Sequence, residues 1–243
     1  MAGFRTHITV STTLGVGYAA AGLYWLPTHN GEMPVATCLL AGGLCSVSGM
    51  LPDLDSDSGV PIRETMALAA AVVPMLLMRR FERMGFSHEG MVLIGAMIYV
   101  LVRFGIGGLL KRYTVHRGMF HSIPACAIAG ILAFLLCQCA DLTDRYYKAG
   151  AVVVGFMSHL VLDEIWAVDM RLGHMRLKQS FGTALKFWGE STWANFSTYA
   201  KLALLVAVAW QDPVWTHEGE QQVNQGQQIV PHTAVETIRN WWR

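Results

Sequence analysis

The chain has 243 residues, 53% of them hydrophobic and 14% charged, and a formal net charge of +1. Soluble domains carry about 25% charged residues, so this is the composition of a membrane protein. The balanced charge gives no basic field for nucleic acid.

Residues 8–26 form the first apolar segment, preceded by Arg5 and His7. Ala19-Ala20-Ala21 would also suit a cleaved secretory signal. The apolar run continues to an aromatic end at Trp25, so a retained helix is expected, with His7 at the membrane edge. A second helix over 35–51 stops at Pro52, before Asp53-Leu54-Asp55-Ser56-Asp57-Ser58-Gly59. The third segment, 65–78, is short for a span, carries Pro74 and precedes Arg79, Arg80 and Arg83. The fourth, 90–110, leads into a basic stretch that holds His116-Arg117-Gly118 and His121-Ser122. The fifth, 123–140, has Pro124 in its first turn, where proline is tolerated. The sixth, 149–167, contains Ser158-His159 and Asp163-Glu164. A polar connection with Arg171, Arg176 and Lys178 follows, then a short seventh segment, 197–210, containing Lys201. The Gln-rich tail 217–229 reads as disordered, and Trp241-Trp242 as an interfacial contact. The expected fold is all-α, a polytopic membrane bundle of about six or seven transmembrane segments. Its 24 Gly and 13 Met suit helices packed closely in lipid. Cys38, Cys45, Cys126, Cys137 and Cys139 show no C-x-x-C spacing and read as small buried hydrophobes.

Lysine and arginine counts orient the chain. With the N-terminus in the cytoplasm, Arg5, Arg63, Lys111, Arg112, Arg117, Arg171, Arg176, Lys178 and Lys186 lie on that side. Arg79, Arg80, Arg83, Arg145 and Lys148 fall in the loops opposite, nine against five. In this topology His7, Asp53, Asp55, His116, His121 and the end of the sixth helix meet at one membrane face.

His159 and Asp163, four residues apart, share a helix face. Burying them in lipid without a further partner is expensive. A core histidine bonded to an aspartate one turn away is the plain reading, and a metal site is the sharper one. Asp53-x-Asp55-x-Asp57 resembles a calcium loop with Glu64 at position twelve, but its glycine stands at the seventh place instead of the sixth. A solvated acidic loop is the alternative, and hard oxygen ligation of Zn²⁺ or Mn²⁺ the preferred reading. Gly118 allows a bend that converges His116 and His121. Arg117 between them is placed to hold an anionic oxygen bidentately; a basic loop at anionic head groups is the plain alternative. His29, His88, His174, His217 and His232 have no companion at ligand spacing.

Thr6-His7, Leu51-Pro52-Asp53-Leu54-Asp55, His116-Arg117-Gly118-x-x-His121-Ser122 and Ser158-His159-x-x-x-Asp163 occur in this order. Over roughly residues 1–170 the chain thereby resembles the YdjM/YbcI-like family of membrane-bound metal-dependent hydrolases, one branch of which is described as LexA-binding inner-membrane proteins. The resemblance implies a bacterial inner-membrane, multi-pass protein with a hydrolase domain over 1–175 and a C-terminal extension over 176–243. It implies a metal set of His7, Asp53, Asp55, His116, His121, His159 and Asp163. Seven ligands exceed the three or so that a catalytic zinc takes, which suggests two ions sharing Asp53 or Asp55. Arg117 would neutralise a phosphate, and Glu164 or Asp57 would serve as base. The expected substrate is a phosphoester of a lipid or other amphiphile at the cytoplasmic membrane face. A metal-ion transporter, and a non-catalytic membrane scaffold or regulator with a cytoplasmic protein partner, are the alternatives.

Overall fold

The computed structural model describes residues 3–30, 33–55, 60–106, 119–137, 142–171, 174–177 and 185–212. Among them are seven α-helices: α1 (Phe4–Asn30), α2 (Val35–Ser48), α3 (Val60–Arg83), α4 (His88–Val100), α5 (Ile123–Leu136), α6 (Leu142–Ala167) and α7 (Thr192–Trp210). A 3-10 turn, Pro52–Asp55, follows α2, and a π-helical turn, Leu101–Ile106, follows α4. The architecture is helical except for one antiparallel ribbon, β1 (Val168–Arg171) and β2 (His174–Leu177), which sets Asp169 opposite Arg176. This ribbon falls where a plain polar connection was expected. Its sequence alternates polar and apolar residues, the period of a strand.

Several helices outrun the apolar segments that announce them. α1 begins at residue 4 instead of 8, so His7 lies inside it. α3 covers 60–83 instead of 65–78, and α6 begins at 142 instead of 149. Hydropathy marks the middle of a helix, whereas its ends are set by capping and charge. Arg80 and Arg83 in the last turn of α3, and Asp144 in the first turn of α6, complement the helix dipoles. Ser191, whose Oγ accepts from the Ala194 amide at 3.3 Å, starts α7 five residues earlier than the apolar run does.

α1 and α2 form an antiparallel hairpin, and α6 lies against both, antiparallel to α1 and parallel to α2. α5 packs on α6, α7 on α5, and α3 pairs with α4. Glycine lets the first three backbones touch. A Cβ at Gly155 would collide with the Cys45 carbonyl and Ser48 Oγ, and one at Gly42 would stand 2.6 Å from the Gly15 carbonyl. Ala41, Cys45 and Ala151 fill this seam beside Tyr18 and Tyr147, whose hydroxyls each donate to the other's backbone carbonyl. Cys38, Cys45, Cys126 and Cys137 are buried thiols, and Cys139 lies outside the described residues.

Among the described residues, two helical stretches are long and apolar enough to cross a bilayer, His88–Gly105 and Leu142–Ala167. α2 and α5 are apolar but have 14 residues each. That is about 21 Å at 1.5 Å per residue, against a hydrocarbon core of about 30 Å. Counting every apolar run as a crossing therefore overstates what helix length supports. Val92, Leu93, Met97, Leu101 and Phe104 all face outward. A soluble monomer rarely leaves so continuous an apolar face bare.

Arg145 and Lys148, taken above as loop residues, are buried within α6. The Arg145 guanidinium meets the Asp212 carboxylate with two bonds of 2.8 and 3.0 Å, donates to the Phe134 carbonyl and lies over the Phe134 ring at 4.1 Å. One side chain thus ties the ends of α5 and α7 to the start of α6. Removing one partner of a buried pair leaves an uncompensated charge and costs roughly 3–5 kcal/mol. The Phe134 carbonyl stays in place in Asp212→Ala, so the lower end is expected. Thermal unfolding in detergent should fall by roughly 6–12 °C, with metal content unchanged.

Candidate metal centre

Four segments bring their ends to one end of the bundle. They are the start of α1, the Pro52–Asp55 turn after α2, the residues before α5, and the last turns of α6. They carry His7, Asp53, His121, and the pair His159 and Asp163 respectively. Each position follows from local chemistry. α2 ends at Ser48, and the 3-10 turn that Pro52 opens carries Asp53. Ser122, whose Oγ accepts from the Ala125 amide at 3.3 Å, starts α5 and fixes His121 just outside it. The i, i+4 spacing puts His159 and Asp163 on one face.

The result is a compact cluster. His7 is 2% exposed, His121 2%, His159 0% and Asp163 5%. His7 Nε2 is 3.3 Å from Asp163 Oδ1. His121 Nε2 is 3.5 Å from Asp53 Oδ1 and 3.9 Å from Asp163 Oδ2. His159 Nε2 is 3.6 Å from Asp53 Oδ1 and 3.8 Å from Asp163 Oδ2. The His7 and His159 rings stack at 3.7 Å between centroids, and His121 meets His159 edge-on at 5.5 Å. These atoms form two overlapping triads, His7–Asp53–His159 and His121–His159–Asp163, each with its ligand atoms within 4.8 Å of one another.

The spacing separates hydrogen bonding from metal ligation. Hydrogen bonds between nitrogen and oxygen run about 2.7–3.2 Å, shorter than every separation just given. Ligands about 2.1 Å from a tetrahedral zinc stand about 3.4 Å from each other, within the range seen. The protonation of His159 points the same way. Its Nδ1 is 2.7 Å from the Gly49 carbonyl, which can only accept, so Nδ1 carries the proton and Nε2 offers a lone pair. That Nε2 is buried and makes no hydrogen bond among the described residues. A metal-ligating histidine typically donates its other N–H to a backbone carbonyl in this way. Three neutral imidazoles and two carboxylates also balance one divalent cation. The donor set therefore fits such an ion.

Five of the residues singled out by sequence thus come together. His7 is buried in the cluster, where Asp163 of α6 lies 3.3 Å from it across the helix seam. Asp55 lies in the same turn as Asp53, but its side chain is outside the described residues, as are His116, Arg117 and Asp57. Glu164 is half-buried next to Asp163, about 100° further round α6, and belongs to neither triad. His88 is exposed at the start of α4, away from the cluster. The sequence reading missed Gly49, whose role is played by a backbone carbonyl. Its only signal is a small residue three positions before Pro52 at a helix end. A Cβ there would meet Ser11 on α1.

No curated protein and no solved structure matches the chain. A family model, described as YdjM inner membrane protein, matches residues 1–217. The match runs past the motif region read as 1–170 and takes in α7. With most of its length covered, the chain belongs to the family of YdjM inner membrane proteins.

Proposed function

We propose that this protein is a membrane metal-dependent hydrolase whose His/Asp cluster acts on a phosphoester of a lipid or similar amphiphile. The observation that carries this reading is the convergence of three buried histidines and two aspartates at ligand-edge distances, with His159 Nε2 making no hydrogen bond among the described residues. His7, Asp53, His121, His159 and Asp163 hold a divalent ion, Zn²⁺ or alternatively Mn²⁺. Such an ion supplies Lewis-acid stabilisation of phosphoryl oxygens and a lowered pKa for water. Both triads draw on the single Nε2 of His159, so they do not each hold an ion through it. A second ion would be held by Asp55 and His116, with Asp53 or Asp55 shared between the two. Arg117 grips the anionic oxygens of the substrate, and Glu164, or Asp57, takes the proton.

The packing below the cluster favours a hydrolase over a metal-ion transporter. Ala41, Cys45 and Ala151, with the two tyrosine rings, occupy the seam where a path of ligands across the membrane would run. A non-catalytic regulator with a cytoplasmic partner remains the other reading, and turnover decides against or for it. The enzyme, chelated and reloaded with metal, is offered phosphorylated and acyl-linked lipids in detergent. Metal-dependent phosphoester cleavage is expected. Arg117→Lys should reduce it far more than it reduces metal content, because lysine keeps the charge and loses the bidentate fork. Release of fatty acid with no phosphoester cleaved would defeat the assignment.

We place the N-terminus and the cluster on the cytoplasmic side, with the bundle crossing several times. The sequence count of nine lysines and arginines against five supports this orientation. In intact cells, single cysteines at Ser58 and Thr114 should resist membrane-impermeant thiol reagents, and one at Ser87 should react. The opposite pattern would put the cluster outside the cytoplasm.

A further inference from the structure

Exposed tryptophan and tyrosine side chains gather at the two ends of the bundle. On α6 they are Tyr146, 51% exposed, and Trp166, 43%; on α7 they are Trp193, 76%, and Trp210, 83%. Between Tyr146 and Trp166 the outward residues of α6, a helix long and apolar enough to cross a bilayer, are apolar, Val154, Val161 and Ile165; α7 exposes Leu204, Val206 and Val208 but also Lys201 near its middle, so α6 carries the placement. The two helices run in opposite directions. The pair Arg145–Asp212 joins the start of α6 to the end of α7, while the Ile123 amide donates to the Lys186 carbonyl just ahead of α7. Trp166 and Trp193 therefore belong to the cluster's end, together with exposed Phe187 and Trp188, and Tyr146 and Trp210 to the other.

At 1.5 Å per residue the rings are about 30 Å apart along α6 and about 26 Å along α7. A bilayer's hydrocarbon core is about 30 Å thick, with tryptophan and tyrosine enriched at both boundaries. His159 and Asp163 precede Trp166 by about 10 and about 5 Å along the axis of α6. From this placement, and resting on the metal-hydrolase reading above, we infer that the cluster sits just beneath the aromatic boundary of one leaflet and takes the polar head of an amphiphile resident in that leaflet. Phe187, Trp188 and Trp193 form the interfacial shelf beside it. A lipid in this leaflet holds its phosphate at the belt with its chains already in the bilayer, about 5–10 Å from the level of Asp163 and His159, whereas a water-soluble phosphate ester has no such anchorage.

Spin labels on single cysteines at Val154, Ile165 and Trp188, in a cysteine-free protein in phosphatidylethanolamine/phosphatidylglycerol nanodiscs, measure depth by collision with oxygen and an aqueous nickel chelate. Labels at 165 and 188 are expected within about 5 Å of the phosphate level, and the label at 154 in the hydrocarbon core. Nickel access at 165 and 188 equal to that of free label, or all three positions at core depth, would overturn the placement. This readout needs neither metal nor turnover, so it stands or falls apart from the hydrolase reading. Phe187 replaces Trp188 should that variant fail to fold. In a second arm, metal-loaded protein is melted with phosphatidic acid in mixed micelles or with glycerol phosphate at equal concentration. A rise in melting temperature with the lipid alone supports the assignment. Equal rises, or none with the lipid, overturn the choice of ligand.

Discussion

His159→Ala should lower the melting temperature of the metal-loaded protein by roughly 10 °C and make little difference once a chelator is present. A ligand at a thousand times its dissociation constant stabilises the folded state by about 4 kcal/mol, and a chain of this size shifts by about 2–4 °C per kcal/mol. The variant loses the one nitrogen common to both triads, so most of that linkage goes with it. Without metal the balance differs. The imidazole then carries a buried Nε2 with no hydrogen bond among the described residues, a group that costs stability. Its removal offsets part of the lost packing against His7. Differential scanning fluorimetry with and without chelator reads both arms. A large drop that persists in chelator would mean that His159 serves packing alone.

Gly155→Ala is expected to cost about 3 kcal/mol and to weaken metal binding at the same time. The added methyl would meet the Cys45 carbonyl, which is backbone and cannot swing aside, as well as Ser48 Oγ. Relief requires α2 to move off α6, and α2 leads directly to Gly49, whose carbonyl orients His159. Supporting groups of this kind typically change metal affinity by 10–100-fold. At Gly43 on α2 a methyl would meet nothing within 4 Å, so Gly43→Ala should be neutral or slightly stabilising. Thermal unfolding together with metal titration separates the two variants. Loss of stability in Gly155→Ala with metal affinity intact would uncouple the helix seam from the cluster.

Much of the site was legible because burying charge in an apolar helix demands a partner. His159 and Asp163 declared themselves by spacing, Asp53 by the Asp-x-Asp pattern after Pro52, and His121 by its pairing with His116 across Gly118. The burial of His7 was not legible, since it depends on Asp163 lying opposite it across an antiparallel helix pair. Gly49 acts through its carbonyl, an atom that every residue has. Arg145 looked like a loop cation because its partner, Asp212, lies 67 positions away. The helical class followed from composition, and the helix ends did not, because Ser191 and Asp144 set them by capping and charge outside the apolar runs. Which glycines let backbones touch is likewise a property of helix pairs, as Gly155 against Cys45 shows.

The central claim is that the cluster holds a divalent metal, and elemental analysis of the purified protein in detergent tests it most directly. Wild type should carry at least one divalent ion per chain, as should His88→Ala, whose histidine lies away from the cluster. His159→Ala and Asp163→Ala should carry far less. Equal metal in wild type and His159→Ala, or none above background in wild type, would contradict the claim.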